Sequence, residues 1–337
     1  MVKLIGAYTL SECLEAMAEN IAAYEELGRR NLIFCEDRLT LVAERALLRK
    51  RGGTFLSEVT TFARFLKTDS KVLSRQGSVM AVGNLISRLQ KEGKLQCFTR
   101  VGGGINAAKC IYEQIAQFIA SELTPESLRE SVTCLKDDAL RGKMLDLALL
   151  YEEYDAFLKE NGYLDEGGYL TLLPNALRAE PNIENTNVFF LCFSSFTAQA
   201  VKSIQTAISC AANVVGIFVN GGEEIYTGSA YNRFLNAAKA VGKVFTVNAG
   251  TPLIDEAEVL RKGLYRPEKP EKKVQTGKIS VYMAADAAAE AEMVAVQIKR
   301  KLMQNEALKY SDFSVLVPDV KAYALPIKKA FREYGIP

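Results

Sequence analysis

Residues Asn187–Ala200 read NVFFLCFSSFTAQA, and this stretch decides the fold. Val188 through Phe193 form an unbroken apolar run, too short for a buried helix and rich in β-branched and aromatic side chains. The pattern predicts a central strand covered on both faces. Ser194, Ser195 and Thr197 end it, and a helix is predicted over Ala198–Ala211. A strand of this type belongs to a parallel sheet flanked by helices, so the fold class is α/β.

Other strands fall on both sides of it. Lys3–Ile5 is a short opening strand that ends at Gly6. A helix over Ser11–Leu27 follows, with Ser11 as the expected cap. Asn31–Cys35, NLIFC, is a second apolar strand with the polar tip Glu36-Asp37-Arg38-Leu39-Thr40. Glu58–Leu66 reads as a strand end entering a helix. Asn213–Asn220 and Lys243–Val247 are further strands. From about residue 71 to 184 the period is helical, with Val79–Glu92, Ala107–Leu123 and Asp138–Asn161 as the main helices. Thr124 caps another, with Pro125 at its first position. This block interrupts the α/β pattern and is expected to be an inserted helical subdomain. Residues 1–70 and 185–260 are then one sheet domain.

Residues 261–278, RKGLYRPEKPEKKVQTGK, are basic and proline-bearing, as expected of a linker. A new α/β unit is expected over 279–337. Its strands are Ile279–Met283 and Phe313–Val317, and its helices Ala287–Met303 and Ala322–Tyr334. The last residues, Gly335-Ile336-Pro337, fall where a further strand is expected, so this unit is expected to be incomplete.

Composition excludes several chemistries. The 337 residues contain no His, which removes Ser–His and Cys–His nucleophiles and histidine metal sites. The seven Cys, at 13, 35, 97, 110, 134, 192 and 210, form no C-x-x-C pair and read as reduced packing residues. A net charge of +2 means that any polyanion site is a local patch. No apolar run approaches 18 residues, and the expected location is the cytoplasm. Strand, Gly6 and helix form the setting of a phosphate-binding loop. The loop itself, Ala7-Tyr8-Thr9-Leu10-Ser11, lacks the second glycine and the lysine that hold phosphates. Gly102-Gly103-Gly104 has no such setting and reads as a loop. Arg49-Lys50-Arg51 and Lys299-Arg300-Lys301 read as solvated helix ends. Asp137-Asp138 and Asp165-Glu166 read as cap and turn chemistry.

Several stretches together resemble the N-terminal, helicase-like part of the AddB family, which includes RexB proteins. They are Lys3–Gly6 with its helix, Phe34–Thr40, Val59–Leu66 (VTTFARFL), Tyr163–Tyr169, Phe189–Gln199, Ala284–Arg300 and Tyr310–Pro337, in the family's order. The resemblance spans the chain. It implies a RecA-like parallel sheet of the P-loop NTPase type, of the kind found in UvrD-like superfamily 1 helicases. A helical insertion and the start of a second RecA-like domain go with it. It also implies a B subunit of an AddAB or RexAB helicase–nuclease, partnered by an AddA/RexA-type motor, that holds single-stranded DNA and scans it for the hotspot Chi.

Departures from the family pattern bear on the chemistry. The P-loop lysine has no counterpart after Gly6, and the strand-end Asp of the family falls at Leu191, with its following Gly at Cys192. The expected nucleotide site is therefore degenerate, no ATPase activity is expected, and no cofactor is expected in this chain. In the family, ATP and Mg belong to the partner motor. The iron–sulfur cluster belongs to a nuclease domain beyond residue 337. Arg38, Thr40, Phe62, Arg64, Phe193 and Phe196 are the expected DNA-contacting set, because cations suit phosphates and flat rings suit bases. Core packing for Phe62 and Phe193, and capping or surface roles for Thr40 and Arg64, are the alternatives. A purely structural scaffold is the competing function, and a residual ATP-dependent helicase a third.

Overall fold

The computed structural model describes residues 1–66, 71–100, 104–220, 229–250, 256–257, 259–260, 277 and 279–337. Most of the expected linker lies outside the described residues. The chain forms two compact units, Met1–Leu253 and Ile254–Pro337.

In the first unit six strands form one sheet. They are β1 (Val2–Ala7), β2 (Asn31–Cys35), β3 (Ser57–Thr60), β6 (Asn187–Leu191), β7 (Asn213–Val219) and β8 (Val244–Asn248). Their order is β3-β2-β6-β7-β1-β8, and every pairing is parallel. The apolar run at 188–191 is unbroken because successive side chains serve two cores. Val188 and Phe190 join Leu32, Phe34, Val214 and Phe218 on one face. Phe189 and Leu191 join Ile33, Cys35, Val215 and Ile217 on the other. Helices α1 (Leu10–Glu26) and α2 (Thr40–Arg51) cover the second face, and α8 (Leu173–Ala179), α9 (Ala198–Cys210) and α10 (Ser229–Lys239) the first.

Register is pinned at the N-terminal ends of three of the four inner strands. Asn31, Asn187 and Asn213 stand side by side in β2, β6 and β7 and are buried. Their side-chain amides meet at 2.9 and 2.7 Å. A one-residue slip would break this ladder and turn each apolar set toward the wrong face.

The first helix begins earlier than expected. Thr9, not Ser11, is its cap. The Thr9 hydroxyl accepts from the Glu12 N–H at 3.3 Å, and Glu12 Oε2 accepts from the Thr9 N–H at 2.9 Å. The reciprocal Thr-x-x-Glu bonds satisfy two otherwise free donors, which a cap at Ser11 could not do with its own third residue, Leu14.

The insertion is built from α4 (Arg75–Lys91), α5 (Ile105–Ala120), α6 (Pro125–Val132) and α7 (Asp138–Asn161). Their inward faces share a core of Val82, Ile86, Leu89, Ile115, Leu150 and Tyr154, among others. Two strands not expected from the sequence, β4 (Lys71–Leu73) and β5 (Tyr163–Asp165), pair in parallel beside these helices. Asp165 is buried, and its carboxylate accepts from the hydroxyls of Tyr154 (2.7 Å), Tyr112 (3.0 Å) and Ser78 (3.3 Å) and from the Gly167 N–H (2.7 Å). Burial, together with the nearby Asp165 carboxylate, pushes the Tyr112 hydroxyl up to about 12.

In the second unit, α11 (Ala287–Gln304) and α12 (Val320–Glu333) pack through the small residues Ala291, Ala295 and Ala330. Asp286 caps the first and Asp319 the second. The strands expected at Ile279–Met283 and Phe313–Val317 are not present among the described residues. Val281, Met283 and Leu316 are exposed there. An apolar alternating segment becomes a strand only when a neighbour supplies ladder hydrogen bonds, and neither segment has one.

Candidate functional site

Parallel strands end on one rim, so residues distant in sequence meet there. Beyond the C-terminal tips of β2, β3 and β6 lies a groove of about 520 Å³. Glu36 and Asp37 line it from β2, and Thr61, Phe62 and Arg64 from the turn after β3. Phe193 comes from β6, and Leu170 from the segment leading to α8.

Its aromatic wall is a pair of stacked rings. Phe62 and Phe193 have centroids 5.1 Å apart and planes inclined by 15°. Both are half-buried. Phe34 and Phe190 support them from within the sheet core. Phe196 lies behind Phe193 at 5.0 Å but is only 2% exposed and packs edge-on against Phe190 and Phe218. It belongs to the core that holds the wall in place. Phe193 reaches the groove because Cys192 turns the chain in the left-handed region, at φ +49°. That conformation costs a non-glycine residue roughly 1–2 kcal/mol. The Cys192 N–H donates to Ile217 O at 2.8 Å. The Cys192 thiol is held far above the usual range by its hydrogen bond with the Cys13 thiol and by burial, so it is no nucleophile.

Each cation of the groove has a carboxylate partner. Arg64 meets Asp37 at 2.7 Å and Arg38 meets Glu36 at 2.9 Å. Both arginines are largely exposed. Glu36 Oε1 also accepts from the Ser194 N–H at 2.8 Å and the Ser194 hydroxyl at 2.7 Å, which ties the β2 tip to the β6 tip. Burial pushes the Glu36 carboxyl up, but the Ser194 bonds and the Arg38 guanidinium outweigh it and leave the group below its ordinary value. Thr40 is buried, and its hydroxyl donates to Asp37 O at 3.0 Å. It closes the turn at the start of α2 and offers little to a ligand. Of the six residues singled out in the sequence, the structure places Phe62, Arg64 and Phe193 in the groove wall and Arg38 at its edge, with Thr40 and Phe196 behind. Glu36, Asp37 and Leu170 were missed. The Glu36-Asp37-Arg38 triplet at a strand tip was the available signal.

A family model described as ADDB, N-terminal matches residues 9–248. The chain belongs to the AddB N-terminal family. Curated relatives agree, each named as the B subunit of an ATP-dependent helicase/deoxyribonuclease. That of Thermoanaerobacter sp. (strain X514) is 27% identical over 91% of this chain and 29% of its own length. That of Clostridium novyi (strain NT) is 23% identical over 93% and 30%, and that of Geobacillus thermodenitrificans (strain NG80-2) 23% over 98% and 31%. The chain thus spans less than a third of the relatives it matches.

These AddB relatives are named for ATP, and the residues at the corresponding strand ends decide whether a triphosphate fits here. Gly6 lies inside β1, between Phe218 and Asn248 of its neighbours. A side chain there would sit 3.2 Å from Asn220 O, so packing accounts for the glycine. Only Tyr8 and Thr9 separate β1 from α1, and their N–H groups both donate to Glu12 Oε2, at 3.1 and 2.9 Å. A carboxylate of the chain itself thus takes the amides that a phosphate would need. Gly250 closes over it, since any side chain there would overlap the Glu12 carboxylate. Leu191 is wholly buried in the core between the sheet and α1 and cannot hold a metal ion. These residues do not fit a nucleotide. Among the described residues, no helix is long and apolar enough to cross a membrane.

Proposed function

We propose that this chain is the motor-like but non-hydrolysing region of a helicase–nuclease B subunit, and that its sheet-rim groove holds single-stranded DNA. The stacked Phe62–Phe193 pair beside Arg64 is the observation that carries this reading. A flat apolar wall next to guanidinium groups, on one open rim, suits bases and phosphates together. In this scheme residues 1–70 and 185–260 form a first RecA-like domain, 71–184 its insertion, and 279–337 the start of a second. The Glu12 carboxylate on the loop amides and Leu191 at the β6 tip support loss of ATP turnover. The ATP-driven work then falls to an AddA/RexA-type partner. Reading the strand for Chi is the role that the family assignment favours for such a groove.

A scaffold role, docking the motor without touching DNA, has one observation in its favour: Arg38 and Arg64 are already neutralised by Glu36 and Asp37. Fluorescence anisotropy of a labelled oligothymidine across a salt series separates the two. DNA binding predicts an affinity that falls with salt, by about 0.7 in log–log slope for each phosphate contact. Arg64→Ala lowers that slope, and Asp37→Asn, which frees Arg64, raises affinity. An absence of salt-dependent binding in all three proteins leaves the scaffold role.

A further inference from the structure

Helix α2 leaves the groove rim at Thr40 and leads to the edge strand β3. Its buried side is narrow, consisting of Thr40, Ala43 and Leu47. At 3.6 residues per turn, Leu41, Arg45, Leu48 and Arg49 lie on the opposite side. Leu41 is 54% exposed and Leu48 53%. A surface helix ordinarily turns polar residues outward, so two outward leucines one heptad apart suggest a second face with a partner of its own. Arg45 and Arg49 are exposed and form no ion pair among the described residues. By contrast, Lys50 meets Glu19 at 3.7 Å and Arg51 meets Glu25 at 3.2 Å. Gly52, at φ +73°, ends the helix, and three residues later Phe55 is fully exposed.

We propose that this outward face of α2, with Phe55, docks an acidic amphipathic helix of the motor subunit. The proposal rests on the B-subunit reading above. Charge and apolarity together select the partner. The unpaired arginines call for carboxylates, and the leucines and phenylalanine for apolar cover. Nucleic acid would satisfy the arginines and leave Leu41, Leu48 and Phe55 in water. A helix with acidic residues beside an apolar stripe satisfies both. Phe and Arg are also residue types enriched at protein interfaces.

The test uses the full-length B subunit and its cognate motor subunit, with the affinity of the pair measured by biolayer interferometry. L41S/L48S and R45E/R49E replace exposed groups, so circular dichroism should show unchanged melting. Each double variant should weaken the pair at least tenfold, and R45E/R49E should also abolish most of its salt dependence. With Leu48 replaced by p-benzoylphenylalanine, irradiation should attach the B subunit to a motor-subunit peptide rich in Asp or Glu. If the native subunits bind but both variants bind equally well and position 48 yields no cross-link, the docking face is wrong and the B-subunit reading stands. Cross-linking of position 48 to an added oligonucleotide, with motor affinity unchanged, also overturns it in favour of nucleic acid. Native subunits that do not associate at all refute the B-subunit reading, and the docking face with it.

Discussion

Phe62 and Phe193, which follow different strands, lie face to face with 5.1 Å between ring centroids. Each ring both packs on the core and lines the groove, so a substitution must separate the two roles. Phe193→Leu keeps most of the apolar volume and should lower melting only modestly. It should weaken oligothymidine binding by the value of one base stack, roughly 1–3 kcal/mol. Phe196→Ala should instead cost about 3–5 kcal/mol of stability, because that ring is buried. Thermal melts beside anisotropy titrations read both quantities. A Phe193→Leu protein that melts early yet binds DNA normally would assign the stack to packing alone.

The Glu36 latch between β2 and β6 carries a pH signature. Its folded-state carboxyl lies below the ordinary 4.5, so its stabilising contribution is complete above that value. The contribution disappears as pH falls through the lower folded value. Glu36→Gln removes the ionisation, so the melting-temperature difference between native and variant proteins should be largest near neutrality. It should shrink steadily below about pH 4.5. A difference that grows on acidification would contradict the hydrogen bonds assigned to Ser194.

Glu12 separates a cap from a ligand site. Glu12→Ala removes the carboxylate from the Tyr8 and Thr9 amides, and loss of a cap of this type costs about 1 kcal/mol, or about 2–4 °C in melting temperature. Neither the native chain nor the variant should bind ATP with Mg, because no lysine and no strand-tip acid return with the substitution. Calorimetry that finds micromolar, Mg-dependent binding to the native chain would overturn the degenerate-site reading.

Much of this architecture was legible in the sequence, for physical reasons that also mark where legibility stops. The runs at Asn31–Cys35 and Val188–Leu191 could be read because a strand covered on both faces leaves no polar position. Both were expected in one sheet, and the structure pairs them directly. The long helix Asp138–Asn161 was clear from its apolar period. Strands β4 and β5 were not legible, since three residues carry no period and their pairing depends on partners far apart in sequence. Ile279–Met283 and Phe313–Val317 show the converse: local alternation favours a strand, but without a neighbour no ladder forms. In the groove, the cations and rings were recognisable by type. Their pairing with Glu36 and Asp37, and the retreat of Thr40 and Phe196 into the core, depend on the angles at which strands leave the sheet.

The groove itself is tested most directly by photochemical mapping. The full-length B subunit is bound to an oligothymidine carrying 5-iodouracil, irradiated, digested and analysed by mass spectrometry. The account predicts adducts on Phe62 or Phe193, lost when excess unlabelled strand competes and reduced in Arg64→Ala. Efficient cross-linking confined to peptides outside the β2, β3 and β6 tips would contradict it.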